Sequence, residues 1–238
     1  CRPSLPDDDI INESECNAPY KYDCNDIAVL QSFIDSNSDT SLFRHYMDNN
    51  SNGVIEPIEF GYQVWDDRND TMRLIQLDLN YTPNIIMKPD NIYELDVRNY
   101  RLKVVPEEIG RLSELERFLI HDNELSYLPT EIGNLLKLEI LDLENNNITV
   151  LPESIGNLKK LESLVLNKNS LTQLPNTIGE LVSLKKLWLN HNQIETINAE
   201  IVNLKNLEWL YINDNNLETI PQVIDSLINL RHLKLQNN

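Results

Sequence analysis

The chain has 238 residues, a formal charge of −18 (20 Lys and Arg against 38 Asp and Glu), 41% hydrophobic residues and only 6 Gly. That apolar share suffices for one or two packed domains and argues against disorder. The charge repels nucleic-acid phosphates and anionic lipid heads, which excludes a nucleic-acid binder, and the sequence has no run of about 18 apolar residues that would cross a bilayer as a helix.

Residues 1–25 contain Asp7-Asp8-Asp9, Pro3, Pro6 and Pro19 and no apolar periodicity, so they are read as a flexible acidic tether. All three cysteines, Cys1, Cys16 and Cys24, lie here. Cys16 and Cys24 are near enough in sequence to staple a short loop through a disulfide, which needs an oxidising compartment; free thiols are the alternative. A chain starting at Cys and continuing into a polar, acidic leader resembles a bacterial lipoprotein, and the acidic run resembles the surface-export signals of Bacteroidota lipoproteins. The resemblance implies lipidation of Cys1 and a membrane link through that lipid alone, at the outer membrane and cell surface or in the periplasm. A secreted protein is the alternative, as is an arbitrary boundary at position 1.

Residues 26–79 are read as an α-helical N-terminal cap ending in a first strand. Asp26–Ile34 has helical periodicity, and Ser41–Met47 reads as a second helix. The segment Asp48-Asn49-Asn50-Ser51-Asn52-Gly53-Val54-Ile55-Glu56-Pro57-Ile58-Glu59 follows. It satisfies D-x-[DN]-x-[DN]-G-x5-E and resembles an EF-hand loop. The resemblance implies a structural Ca2+ held by Asp48, Asn50, Asn52, the Val54 carbonyl, Glu56 and Glu59, with weak affinity because so few of these ligands are acidic. An Asn/Gly-rich turn is the alternative. Tyr62–Trp65 and the strand-like Leu74–Leu79 then complete a cap that loosely resembles the helix–Trp–strand caps of secreted leucine-rich-repeat proteins.

From residue 80 onward the chain repeats itself. The pattern LxxLxLxxN starts at Ile92, Leu115, Leu138, Leu161, Leu184, Leu207 and Leu230, always 23 residues apart. Between these segments runs a second pattern, as in Leu128-Pro129 with Ile132-Gly133 and Leu135, which drifts in the last two copies. Together they resemble the 23-residue leucine-rich repeats of bacterial and Ras-scaffold proteins. The fold expected is an α/β solenoid, a right-handed horseshoe with a parallel concave β-sheet. The first, fourth and sixth positions should point inward from short strands, with Pro starting a helical or 3₁₀ turn on the convex side. The ninth-position Asn should satisfy backbone groups as a stacked ladder, and Tyr100 breaks that pattern in the first copy.

Function should then lie at the outward strand positions. Leu119, Ile140, Val165, Trp188, Trp209 and Tyr211 form an apolar strip there, rimmed by Arg117, His121, Glu144 and Lys186. Exposed Trp and Tyr are the residue types that dominate protein interfaces. The four histidines are dispersed and no nucleophile or metal-hydrolase motif occurs, so the chain is read as no enzyme. The expected function is capture of a protein partner. Alternatives are a subunit of an outer-membrane or envelope complex, or a glycan or peptide binder. The last copy stops on its ladder position, so either the native chain continues or a partner covers that edge.

Overall fold

A computed structural model describes residues 29, 32, 33 and 36, the backbone of 62–66 and 73–78, and residues 101–113, 115–220 and 222–238. The cysteines, the 48–59 loop and the first repeat at 92–100 lie outside the described residues.

The described strands form one sheet. They are β1 (Tyr62–Asp66), β2 (Arg73–Asp78), β3 (Arg117–Leu119), β4 (Ile140–Asp142), β5 (Ser163–Val165), β6 (Lys186–Trp188), β7 (Trp209–Tyr211) and β8 (His232–Lys234). Their spatial order is their chain order. β1 and β2 pair antiparallel; every later neighbour is parallel, and from β3 onward each residue sits beside its counterpart 23 residues away, as in Leu141 beside Leu164. In β3–β7 the middle residue points inward: Phe118, Leu141, Leu164, Leu187 and Leu210 are fully buried, while Leu233 of β8, at the end of the stack, is exposed. Burying such a side chain contributes about 1.5–3 kcal/mol, and no coil can do so alone, so stacking builds one continuous core.

On the N-terminal side of β3 the neighbouring strand is β2, with Gln76–Asp78 in register with Arg117–Leu119.

The return side of each coil is a five-residue 3₁₀ turn, at Glu107–Arg111, Thr130–Asn134, Glu153–Asn157, Asn176–Glu180, Ala199–Asn203 and Gln222–Ser226. Pro106, Pro129, Pro152 and Pro175 precede the first four in extended conformation, and Asn198 takes the same geometry at φ −63°, ψ 149°. Proline has this φ built in and lacks the N–H that would extend a strand. Its carbonyl accepts the first turn bond, as in Ile155 N–H to Pro152 O at 3.0 Å. Neighbouring turns pack tightly. A Cβ on Gly133 would stand 2.5 Å from the Ser154 carbonyl oxygen, so glycine is required by contact with the next coil.

The ninth-position asparagines do as expected. Asn123, Asn146, Asn169, Asn192 and Asn215 are buried. In each, Oδ1 accepts a backbone N–H of the preceding coil at 3.0 Å (Leu102, Leu125, Ile148, Leu171 and Ile194), while Nδ2 donates to a carbonyl of its own coil. From Asn146 onward, Nδ2 also donates to a carbonyl one coil back, such as Leu143 O for Asn169 at 2.9 Å. The preceding position takes left-handed backbone in six successive copies, at Asp122, Asn145, Lys168, His191, Asp214 and Asn237, with φ of 53–56°. Asp and Asn tolerate this region best, which suits four of the six.

At the N-terminal end, Val29 and Phe33 are one helical turn apart, and both are buried in the same core. Phe33 meets Phe118 edge-to-face with ring centroids 6.2 Å apart. Val29 and Phe33 therefore join the core at the β3 end of the described coils.

Candidate functional sheet face

With the middle strand residues turned inward, the third and fifth positions of each repeat face out. The third-position column runs Arg117, Ile140, Ser163, Lys186, Trp209, His232; the fifth runs Leu119, Asp142, Val165, Trp188, Tyr211, Lys234. These columns hold eight of the ten residues expected on this face, His121 and Glu144 lying on the ridge beside them, and their exposure differs. Arg117 and Lys186 are exposed, while Leu119, Ile140, Trp188, Trp209 and Tyr211 are half-buried. Val165 is only 6% exposed and lies in the floor between its neighbours. The cause is lateral crowding, since Trp188 stands directly beside it on β6.

The aromatics are organised as two columns of stacked groups. Trp209 lies parallel to His232, with centroids 5.4 Å apart and planes within 5°. Lys186 Nζ sits 5.2 Å from the Trp209 centroid. Trp188 stacks on Tyr211 at 5.9 Å and 8°, and Lys234 Nζ sits 4.2 Å from the Tyr211 centroid. Strand spacing of about 4.8 Å suits such stacks, because it sets flat side chains in adjacent strands close to contact. Lys234 and His232 were absent from the candidate set. The signal for them was the same 23-residue step, applied once more from Tyr211 and Trp209.

Beside these columns lies a polar ridge from the seventh and eighth positions. Glu144 is engaged there: Oε1 pairs with Lys168 Nζ at 2.8 Å and Oε2 accepts from Asn167 Nδ2 at 3.4 Å. Hydrogen bonding and charge from Glu144 raise the Lys168 pKa above its ordinary value. His121 Nδ1 meets Asp122 Oδ2 at 3.1 Å. Burial pushes the Asp122 carboxyl up, but the amide of Asn145 and the ring of His121 outweigh it and hold the group below the usual carboxylate range. Asp214 is held low by the amides of Asn237 and Asn213. His121 and Glu144 are thus half-buried and tied within the fold, less free for a partner than Arg117 or Lys186.

Further along the ridge, Asn167 Oδ1 accepts the Asn190 N–H at 3.0 Å. Asn190 Oδ1, Asn213 Oδ1 and Trp188 Nε1 are buried without a hydrogen-bond partner. Each such group costs about 1–3 kcal/mol until it is satisfied. Sequence reasoning had no means of finding these unmet groups, which depend on rotamers. Among the described residues, no three His, Cys, Asp or Glu side chains converge to hold a metal ion, and no helix is long and apolar enough to cross a membrane.

Comparison with known proteins fits this architecture. The profile described as "Leucine-rich repeat region" matches residues 107–237. A search of curated proteins finds no match. Among solved structures, a Leptospira interrogans LRR protein is 44% identical over 61% of this chain, with a TM-score of 0.58. The LRR ectodomain of the Arabidopsis thaliana receptor kinase GASSHO1/SCHENGEN3, solved in complex with CASPARIAN STRIP INTEGRITY FACTOR 2, is 35% identical over 57%, with a TM-score of 0.54. The plant peptide hormone receptor RGFR1, solved with RGF2, is 31% identical over 66%, with a TM-score of 0.51. The matched part is 37%, 17% and 25% of those three chains, so this chain corresponds to a minor part of each.

Proposed function

Because the chain belongs to the leucine-rich-repeat family, we propose that its concave sheet face is a non-enzymatic recognition surface that captures a protein partner. The observation that carries this reading is the half-buried aromatic cluster of Trp188, Trp209 and Tyr211, set out on the face beside exposed lysines. Aromatic anchors with a polar rim are where binding energy concentrates in protein interfaces. Two of the similar structures are a peptide hormone receptor in complex with RGF2 and a receptor-kinase ectodomain in complex with CASPARIAN STRIP INTEGRITY FACTOR 2, which supports a polypeptide ligand.

The test compares the wild-type chain with the Trp188→Ala/Trp209→Ala double variant in pull-downs from the native source, read by quantitative mass spectrometry. The expected result is a partner recovered by wild type and depleted at least roughly tenfold by the variant, in line with two interface hot spots. Equal recovery by a folded variant refutes the site.

The finer reading places this module at a bacterial cell surface. It is supported by the acidic Asp7–Asp9 run and by the 44% identity to a Leptospira protein. Mass spectrometry of the native N-terminus tests it, and an unmodified Cys1 would overturn it. Calcium at 48–59 rests on the EF-hand pattern alone, and calorimetry with no heat on calcium addition would remove it.

A further inference from the structure

We infer that the occupant of this face is an acidic segment of polypeptide, an inference that rests on the recognition role proposed above and specifies its ligand. Two observations lead there. The first is which parts of the rings remain available. β7 lies between β6 and β8. Trp209 therefore has the Lys186 ammonium on one face and the His232 ring on the other. Tyr211 is enclosed in the same way by Trp188 and Lys234. Both rings present their rims to a ligand, and an aromatic rim carries the positive edge of the quadrupole. A sugar ring stacks on an aromatic face, which these rings no longer offer; a carboxylate suits the rim.

The second observation is local charge. The chain carries −18 overall, yet the third and fifth positions of β5–β8 hold two lysines and no carboxylate. Lys159, Lys168 and Lys185 each pair with a glutamate at 2.7–2.8 Å. Among the described residues, Lys186 and Lys234 make no such pair, and only π faces contact their ammonium groups. On the neighbouring ridge, Glu144 is engaged with Lys168, and Asp214 with the amides of Asn213 and Asn237. The overall charge opposes an acidic ligand at long range. At physiological salt, screening acts beyond about 8 Å, so the two unpaired ammoniums decide what the face accepts.

The experiment is selection of a phage-displayed random dodecapeptide library on the full chain, followed by calorimetry with the enriched peptides. Enriched sequences should carry a net negative charge. Their affinity should fall roughly threefold with Lys186→Gln or Lys234→Gln and roughly tenfold with both, the scale of solvent-accessible ion pairs, and it should fall as salt rises. Lys159→Gln, on a paired lysine, should leave affinity unchanged. Enriched peptides without acidic excess that still lose binding in the Trp188→Ala/Trp209→Ala variant overturn the acidic ligand and leave the recognition face standing. Enriched peptides indifferent to that variant overturn both readings. So does a selection that enriches nothing.

Discussion

Truncating a single inner asparagine isolates what the amide ladder contributes. In Asn169→Ala the Ile148 N–H loses its acceptor at 3.0 Å, and the Leu143 and Leu166 carbonyls lose donors at 2.9 and 3.2 Å. The carbonyls are each left with a second amide, Asn146 at 3.1 Å and Asn192 at 2.9 Å. Only the Ile148 N–H is stranded, inside a site where Asn169 itself is 8% exposed. A stranded buried donor costs about 1–3 kcal/mol, and the weakened carbonyls add about 0.5–1 kcal/mol, for about 2–4 kcal/mol in all. Asn238 makes the matching bonds to Leu217 N–H, Ile212 O and Leu235 O but is exposed, so water replaces it and Asn238→Ala should cost about 1 kcal/mol or less. Urea unfolding with matched slopes measures both, and amide exchange at Ile148 reports the local opening. If Asn169→Ala costs no more than Asn238→Ala, the ladder is decoration and its bonds do not hold the coils together.

Two further perturbations test the packing and the ridge. Gly156→Ala puts a methyl 2.6 Å from Thr177 Cβ and 2.7 Å from its carbonyl oxygen, and should destabilise by about 1–3 kcal/mol. Gly110→Ala, with its nearest contact at 2.9 Å, should cost less, and thermal melts of the two will rank them. For Asp122, the folded-state pKa lies below the ordinary 3.8, so its stabilising contribution is present above that value and is lost as pH falls through the lower, folded one. Asp122→Asn should therefore flatten the acid limb of a melting-temperature profile below about pH 4; an unchanged limb refutes this assignment.

Much of the architecture was legible because period and burial are the same statement in a solenoid. A 23-residue step, with Leu or Ile at fixed positions, dictates which side chains leave water, and β3 to β8 follow it without a slip. The ladder followed from asking where turn amides find partners. What the pattern does not encode is how outward side chains settle against one another. Trp188, Trp209 and Tyr211 were correctly placed on the open face, but the capture of ring faces by His232, Lys186 and Lys234 arises from rotamers and strand spacing. Val165 sank for the same reason. A column read one residue at a time hides the neighbour that shades it.

The asparagine bonds have a direction. The turn N–H of each coil is received by a side chain belonging to the coil after it: Ile148 by Asn169, Leu171 by Asn192, Ile194 by Asn215. The backbone bonds, by contrast, run both ways: the Asn145 N–H is received by Asn167 O of the next coil and the Ser170 N–H by Ile148 O of the preceding one. The two faces of a coil are therefore not equivalent, because only the face towards the next coil is closed by a side-chain amide. Removing a coil from the C-terminal side takes that closure from the coil that remains and leaves its turn N–H bare.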